Sequence, residues 1–142
     1  MEPVTTADGT EIAVERYGDG PPLIALHGSA ATGGSLQPIV SQLAADYTVI
    51  VPDRRGRGAS GDGDDYGLDR EIGDLQAIVA AIDSDPVVVA HSFGGLVALA
   101  AAPTLDIRRL ILYEPAVTVG DGADPPLSAQ VRSRVDAGNE TE

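Results

Sequence analysis

A serine followed by small residues comes directly after an apolar run in the stretch 87–95. Such a run is typical of a buried strand, and a serine on the sharp turn between a strand and a helix keeps its hydroxyl exposed above the sheet. Positions two before and two after this serine face the neighbouring strand and helix; here they are Ala90 and Gly94. The pattern predicts Ser92 as a nucleophile. The alternative is a serine that only caps the following helix.

Strands and helices are predicted to alternate on both sides of this turn. Short apolar runs predict strands over residues 11–17, 22–26, 47–51, 87–90 and 107–113. Apolar residues at helical spacing predict helices over residues 35–45, 68–82 and 94–102. The first strand follows an Asp-Gly turn and alternates apolar with polar residues, which predicts a half-exposed hairpin strand. Together these elements predict an α/β fold, with a mostly parallel sheet and helices on both faces.

The charge and composition restrict the partners and cofactors. The 142 residues are expected to form one domain, and 22 acidic against nine basic residues give a formal charge of -13. This charge opposes binding to nucleic acid and to anionic membranes. Cysteine is absent, and the two histidines lack metal-ligand spacing, so we expect neither metal nor cofactor. Since the start resembles no signal peptide and no apolar run reaches ~20 residues, a cytoplasmic location is predicted.

A glycine pattern at residues 56–61 allows a second interpretation. Gly56, Gly58 and Gly61 satisfy GxGxxG after a predicted strand, which is typical of a dinucleotide-binding turn. That site requires a helix to begin at the glycines, whereas the acidic stretch 62–65 follows here. We therefore favour a structural loop in which arginine and aspartate pair, with a nucleotide-binding α/β domain as the alternative.

Four motifs, taken in their order along the chain, resemble the amino-terminal half of the α/β-hydrolase family. They are His27-Gly28-Ser29, Asp53-Arg54-Arg55-Gly56-Arg57-Gly58-Ala59-Ser60, the turn at Ser92, and Leu112-Tyr113-Glu114-Pro115. The resemblance extends from about residue 8 to residue 115. It implies a truncated α/β-hydrolase core and a serine hydrolase that acts on a small ester or related acyl substrate without a cofactor.

The resemblance also implies roles for the residues around the turn. Ser92 attacks the acyl carbon, and the backbone N–H groups of Ser29 and Phe93 form the oxyanion hole. Each such donor is typically worth ~3 kcal/mol to the transition state. Gly28 lets its loop approach the substrate, and His27 fixes that loop by hydrogen bonding. The other structural positions around the site are His91 and Gly94.

A base for Ser92 is harder to find in this chain. Its two histidines are His27, in the oxyanion loop, and His91, whose side chain points to the opposite side from its neighbour Ser92. The resemblance implies a catalytic histidine on a later stretch, so we expect little or no activity from the isolated chain. Glu114 is the candidate acid, because some family members carry theirs after this strand. A carboxylate that lines the pocket or pairs with arginine is the alternative.

Residues 1–116 are predicted to form an amino-terminal part of the hydrolase core. Residues 117–142 are predicted to form the start of a lid region or a disordered tail, with at most a short helix at 127–135. A sheet that ends at Leu110–Leu112 exposes an apolar edge. We expect a complementary carboxy-terminal half or a second copy to cover this edge, as in a truncated or split gene. The competing hypothesis is a non-catalytic remnant or interaction module that keeps the half-sheet.

Overall fold

A six-stranded sheet forms the centre of the computed structural model, which describes residues 2–117. The strands are β1 (Glu2–Thr5), β2 (Glu11–Tyr17), β3 (Pro22–Leu26), β4 (Thr48–Pro52), β5 (Val87–His91) and β6 (Arg109–Tyr113). The helices are α1 (Gln37–Leu43), α2 (Leu68–Ala80) and α3 (Ser92–Ala101), with 3-10 turns at Gly33–Leu36 and Ala102–Thr104. The strand order is β1-β2-β4-β3-β5-β6. β2 is antiparallel to both of its neighbours, and the remaining pairs are parallel.

Helices cover both faces of the sheet. α2 and α3 pack on one face, where Leu75 and Val97 join the larger cluster of buried side chains. α1 packs on the other face through Val40. Side chains alternate along β5, so that Val88 faces α2 and α3 while Val89 faces α1. This arrangement confirms the predicted α/β class with a mostly parallel sheet.

The first hairpin differs from the prediction. β1 lies outside the predicted strands because its four residues include Pro3 and show no apolar alternation. The exposure of β2 is uneven: it lies between β1 and β4, the consecutive residues Ile12, Ala13 and Val14 are buried, and the remaining positions are exposed or partly exposed. The predicted lid region over 117–142 and the short helix at 127–135 lie outside the described residues, apart from Val117. Within residues 2–117, no helix has the length and apolar character needed to cross a bilayer.

β6 is an edge strand of the described sheet. Its neighbour is β5, and no other strand of residues 2–117 pairs with its outer side. Leu110 and Leu112 pack against the cluster under α2 and α3. On the α1 side, Ile111 and Tyr113 are 44% and 63% exposed. The edge and the α1 side of β6 therefore present apolar surface to solvent.

Candidate active site

Backbone strain marks one end of the sheet. Ala30, Ser92 and Glu114 are the non-glycine residues of the described part with left-handed backbone, at φ of 51°, 51° and 44°. They follow β3, β5 and β6, which are neighbours in the sheet. A residue with a Cβ adopts this conformation at a cost of roughly 1–2 kcal/mol, and such strain concentrates at functional sites. The carboxyl ends of parallel strands are also where open α/β sheets bind ligands.

Ser92 occupies a tightly packed turn between strand and helix. β5 ends at His91, and α3 begins at Ser92. A Cβ added at Gly94 would lie 2.4 Å from the carbonyl oxygen of His27, and one added at Gly28 would lie 3.0 Å from the Ser92 Cβ. The loop after β3 therefore runs directly against the turn, which leaves space for glycine alone at Gly94 and little more at Gly28.

Among residues 2–117, no acceptor faces two backbone N–H groups near Ser92. Ser29 is exposed in the loop after β3, and its N–H makes no hydrogen bond with any described residue. Phe93 lies in the first turn of α3, where N–H groups have no partner within the helix. The structure thus brings together the loop and the turn that carry both predicted oxyanion donors.

His27 holds the loop after β3 in place. Its ring is fully buried, and its Nδ1 donates to the carbonyl oxygen of Gly28 at 2.9 Å. Its Nε2 accepts a hydrogen bond from the backbone N–H of Arg54 at 3.0 Å. Burial is the main cause that lowers the pKa of His27 from its ordinary value of 6.5. His27 is therefore a neutral histidine whose two ring nitrogens are both occupied, so neither is available as a base for Ser92.

The depressed pKa of His27 predicts that mild acid destabilises the protein. The unfolded chain, in which His27 has its ordinary pKa of 6.5, takes up the proton before the folded chain does. The free energy of unfolding is therefore fully maintained above that value and falls as the pH drops below it, by at most about 1.4 kcal/mol per pH unit from this group. Urea titrations between about pH 5 and pH 8 measure this dependence. A His27→Asn variant should show a shallower slope, and an unchanged slope would contradict this account.

Two buried arginine–carboxylate pairs lie behind the loop. Arg54 bonds both oxygens of Glu71, and Arg55 bonds both oxygens of Asp74. Arg55 also donates two hydrogen bonds to Asp8. The hydrogen bond from the Thr6 hydroxyl, followed in size by those from Arg55, holds the pKa of Asp8 well below its ordinary range. The glycine-rich stretch 56–61 is thus part of a structural loop, and α2 begins only at Leu68. No helix begins at those glycines to receive a pyrophosphate.

Arg54 and Glu71 are not among the site residues predicted from the sequence. Arg54 donates to the Gly28 carbonyl at 2.9 Å, and its guanidinium carbon lies 4.6 Å from the centre of the Phe93 ring. The sequence does contain a signal for these contacts: the adjacent residues Arg54 and Arg55 are followed by the acidic residues Glu71 and Asp74. Because the two acids are three residues apart, they lie on one face of a helix. That spacing indicates pairing but not which arginine faces the loop.

His91 and Glu114 lie on the margin of the site. His91 stacks on Tyr113, with ring centroids 5.4 Å apart, and both line a groove of about 250 Å³ on the α1 face. This groove is otherwise mainly apolar, with Leu36, Ile39 and Val89 in its walls. Glu114 is exposed and makes no ion pair within residues 2–117. Two residues further on, Ala116 N–H donates to the Ser92 carbonyl, so the segment after β6 lies against the turn.

Comparison with known proteins identifies the class. The model of the alpha/beta hydrolase family matches residues 23–140, and this chain belongs to that family. An alpha/beta hydrolase from Sphaerobacter thermophilus has a similar structure, with a TM-score of 0.84 and 38% identity over 96% of this chain and 55% of its own.

Two relatives with similar sequences carry different names. A pimeloyl-[acyl-carrier protein] methyl ester esterase from Xanthomonas oryzae pv. oryzae is 35% identical over 89% of this chain and 49% of its own length. The magnesium-chelatase 30 kDa subunit of Rhodobacter capsulatus is 36% identical over 73% of this chain and 38% of its own. The chain thus spans about half the length, or less, of these relatives. Membership of the family alone does not fix the reaction.

Proposed function

We propose that this chain carries the nucleophile and oxyanion hole of a serine hydrolase acting on a small ester or related acyl substrate. The observation that carries the proposal is the left-handed Ser92, at φ 51°, against which the loop after β3 packs. A strained turn of this kind, with glycine at the points of closest approach, is what an exposed nucleophilic hydroxyl requires. The match to a methyl ester esterase over 89% of the chain supports an ester as the substrate class.

In the proposed reaction, Ser92 Oγ forms a bond to the acyl carbon while its proton passes to a base. The carbonyl oxygen of the substrate becomes an oxyanion, which accepts hydrogen bonds from the N–H groups of Ser29 and Phe93. The alcohol then leaves with a proton from that base, and water releases the acyl group by the reverse sequence. Glu114, at the end of β6, is the candidate for the acid that orients the base.

We infer that the base comes from polypeptide other than these 142 residues. The sequence contains two histidines. His27 uses both ring nitrogens in hydrogen bonds, and His91 is stacked on Tyr113 along the groove of the α1 face. Because losing the histidine of a serine hydrolase costs roughly 10⁶-fold in kcat, the chain by itself is expected to be almost inactive.

We further propose that the β6 edge is the surface on which this additional polypeptide docks. The edge offers unpaired backbone groups beside Ile111 and Tyr113, which are among the most exposed apolar side chains of the described part. About 45% of the Sphaerobacter thermophilus hydrolase lies outside the part that matches this chain. Self-association of two copies through the same edge is the competing occupant.

Covalent labelling of Ser92 tests the proposed function. A fluorophosphonate reacts with a serine only when a base activates it, so we expect slow or absent labelling of the 142-residue chain. We expect rapid labelling of a chimera in which the part of the Sphaerobacter thermophilus hydrolase beyond its matched region is appended to residue 142. Peptide mapping by mass spectrometry should locate the adduct on Ser92, and a Ser92→Ala chimera is the control. A folded chimera that is not labelled at Ser92 would favour a non-catalytic module.

A further inference from the structure

The Gly28–Ser29 peptide carries a proposed oxyanion donor, the Ser29 N–H, on one side. On its other side is the Gly28 carbonyl oxygen, which accepts two hydrogen bonds. The carbonyl oxygen of Gly28 accepts hydrogen bonds from His27 Nδ1 and from Arg54 Nη1, both at 2.9 Å. The C=O and N–H of a trans peptide point in opposite directions, and this peptide is trans. Fixing the buried carbonyl therefore fixes the direction of the exposed Ser29 N–H.

Arg54 is well suited to fix that carbonyl. Its Nε and Nη2 donate to the two oxygens of Glu71 at 2.7 and 2.5 Å, and the two residues are only 4% and 2% exposed. The Tyr66 hydroxyl donates to the same carboxylate at 2.6 Å. A hydrogen bond from a charged donor is roughly twice as strong as one between neutral groups. The same guanidinium lies over the Phe93 ring, so it contacts both Phe93 and the Gly28 carbonyl of the Gly28–Ser29 peptide.

We propose that Arg54, held by Glu71, is a positioning residue that orients the Gly28–Ser29 peptide and so preorganises the oxyanion hole. This inference rests on the proposed function for the role of the Ser29 N–H. The inference predicts that the Gly28–Ser29 peptide is rigid. This rigidity can be measured in the 142-residue chain without any substrate turnover. Arg55 is the matched control, because it makes the same bidentate pair with Asp74 while its hydrogen bonds go to Asp74 and Asp8.

Nitrogen-15 relaxation of the Ser29 amide tests the inference on the full chain. In the native protein we expect an order parameter near the rigid value of about 0.85. Arg54→Met removes the donor but keeps much of the volume, and the order parameter of Ser29 should fall below about 0.6. Arg54→Lys keeps the charge and should give an intermediate value. Arg55→Met loses an equivalent buried pair, and Ser29 should keep its native value.

The comparison of the two arginines separates positioning from general stability. Urea titrations should show a similar loss of stability in Arg54→Met and Arg55→Met, so a difference at Ser29 alone reports positioning. The inference is wrong if Ser29 stays rigid in Arg54→Met, or if Arg55→Met loosens it equally. If Arg54→Met does not fold, the Glu71→Gln variant is measured in its place. This substitution keeps the side-chain volume but weakens the hydrogen bonds that hold Arg54. A rigid Ser29 amide in Glu71→Gln would also overturn the inference.

Turnover in the chimera provides a second readout. Arg54→Met should lower kcat by about 10- to 100-fold with KM changed less than about twofold, because the loss affects transition-state stabilisation rather than substrate binding. Arg55→Met, assayed below its melting temperature, should keep kcat within about twofold. If the native chimera is not labelled at Ser92, the proposed function fails, whereas the relaxation result still decides whether Arg54 holds the loop.

Discussion

Appending the remaining part of the Sphaerobacter thermophilus hydrolase to residue 142 is expected to raise the hydrolysis of p-nitrophenyl acetate by at least about 10³-fold over the isolated chain. The expected gain comes from supplying a base to Ser92, since serine and base act as a unit whose loss costs roughly 10⁶-fold. A factor of 10³ allows for imperfect packing between sequences that are 38% identical. Initial rates at equal protein concentration provide the measurement.

Matched variants identify the source of this gain. Ser92→Ala should return the chimera to the rate of the isolated chain, and replacing each histidine of the appended part in turn should identify one as the base. Size-exclusion chromatography should show a monomeric chimera, whereas the isolated chain should self-associate through β6. A chimera that is monomeric, melts cooperatively and yet hydrolyses the ester no faster than the isolated chain would contradict the proposed function.

Replacement of Gly94 by alanine is expected to destabilise the chain by more than about 3 kcal/mol. The new Cβ would lie 2.4 Å from the His27 carbonyl oxygen and 3.0 Å from that of Leu26. Both are backbone atoms, at the end of β3 and in the loop that follows it, so they cannot rotate away as a side chain could. Overpacking of a rigid site forces such backbone to move, at a cost at the high end for core substitutions. Urea titration measures this loss of stability. In a chimera that carries Gly94→Ala, the labelling of Ser92 should also fall.

Gly73 provides the control for a glycine without such a constraint. It lies within α2, and a Cβ added there meets nothing within 4 Å. Gly73→Ala should therefore stabilise the protein by about 1 kcal/mol, the usual difference between glycine and alanine inside a helix. Opposite effects of the two replacements would place the cost at Gly94 in the contact with the loop after β3. If both variants lost stability similarly, the cause would lie in general features of the glycine replacements.

The sequence was most informative where local chemistry leaves few choices. The strands β3 and β5 are short, almost wholly apolar runs that end in turn residues, and their predicted positions agree with the structure. The turn at Ser92 was predictable because a sharp corner against a sheet admits only small flanking residues. The fold class followed from the alternation of these strands with amphipathic helices such as α2.

The features that the sequence did not reveal depend on contacts between distant segments. β1 is recognisable only as the partner of β2, since its own four residues show no apolar alternation. The burial of three consecutive residues of β2, Ile12, Ala13 and Val14, comes from the position of this strand between two others and not from its own pattern. The contact of Arg54 with Gly28 spans 26 residues along the chain, and nothing in the neighbouring arginines indicates which of them faces the loop.

The crystal structure of the chimera after reaction with a phosphonate tests the central claim most directly. We expect a covalent bond from phosphorus to Ser92 Oγ, with the phosphoryl oxygen about 2.7–3.1 Å from the backbone nitrogens of Ser29 and Phe93. An adduct on another residue, or a phosphoryl oxygen directed away from both of those nitrogens, would contradict it.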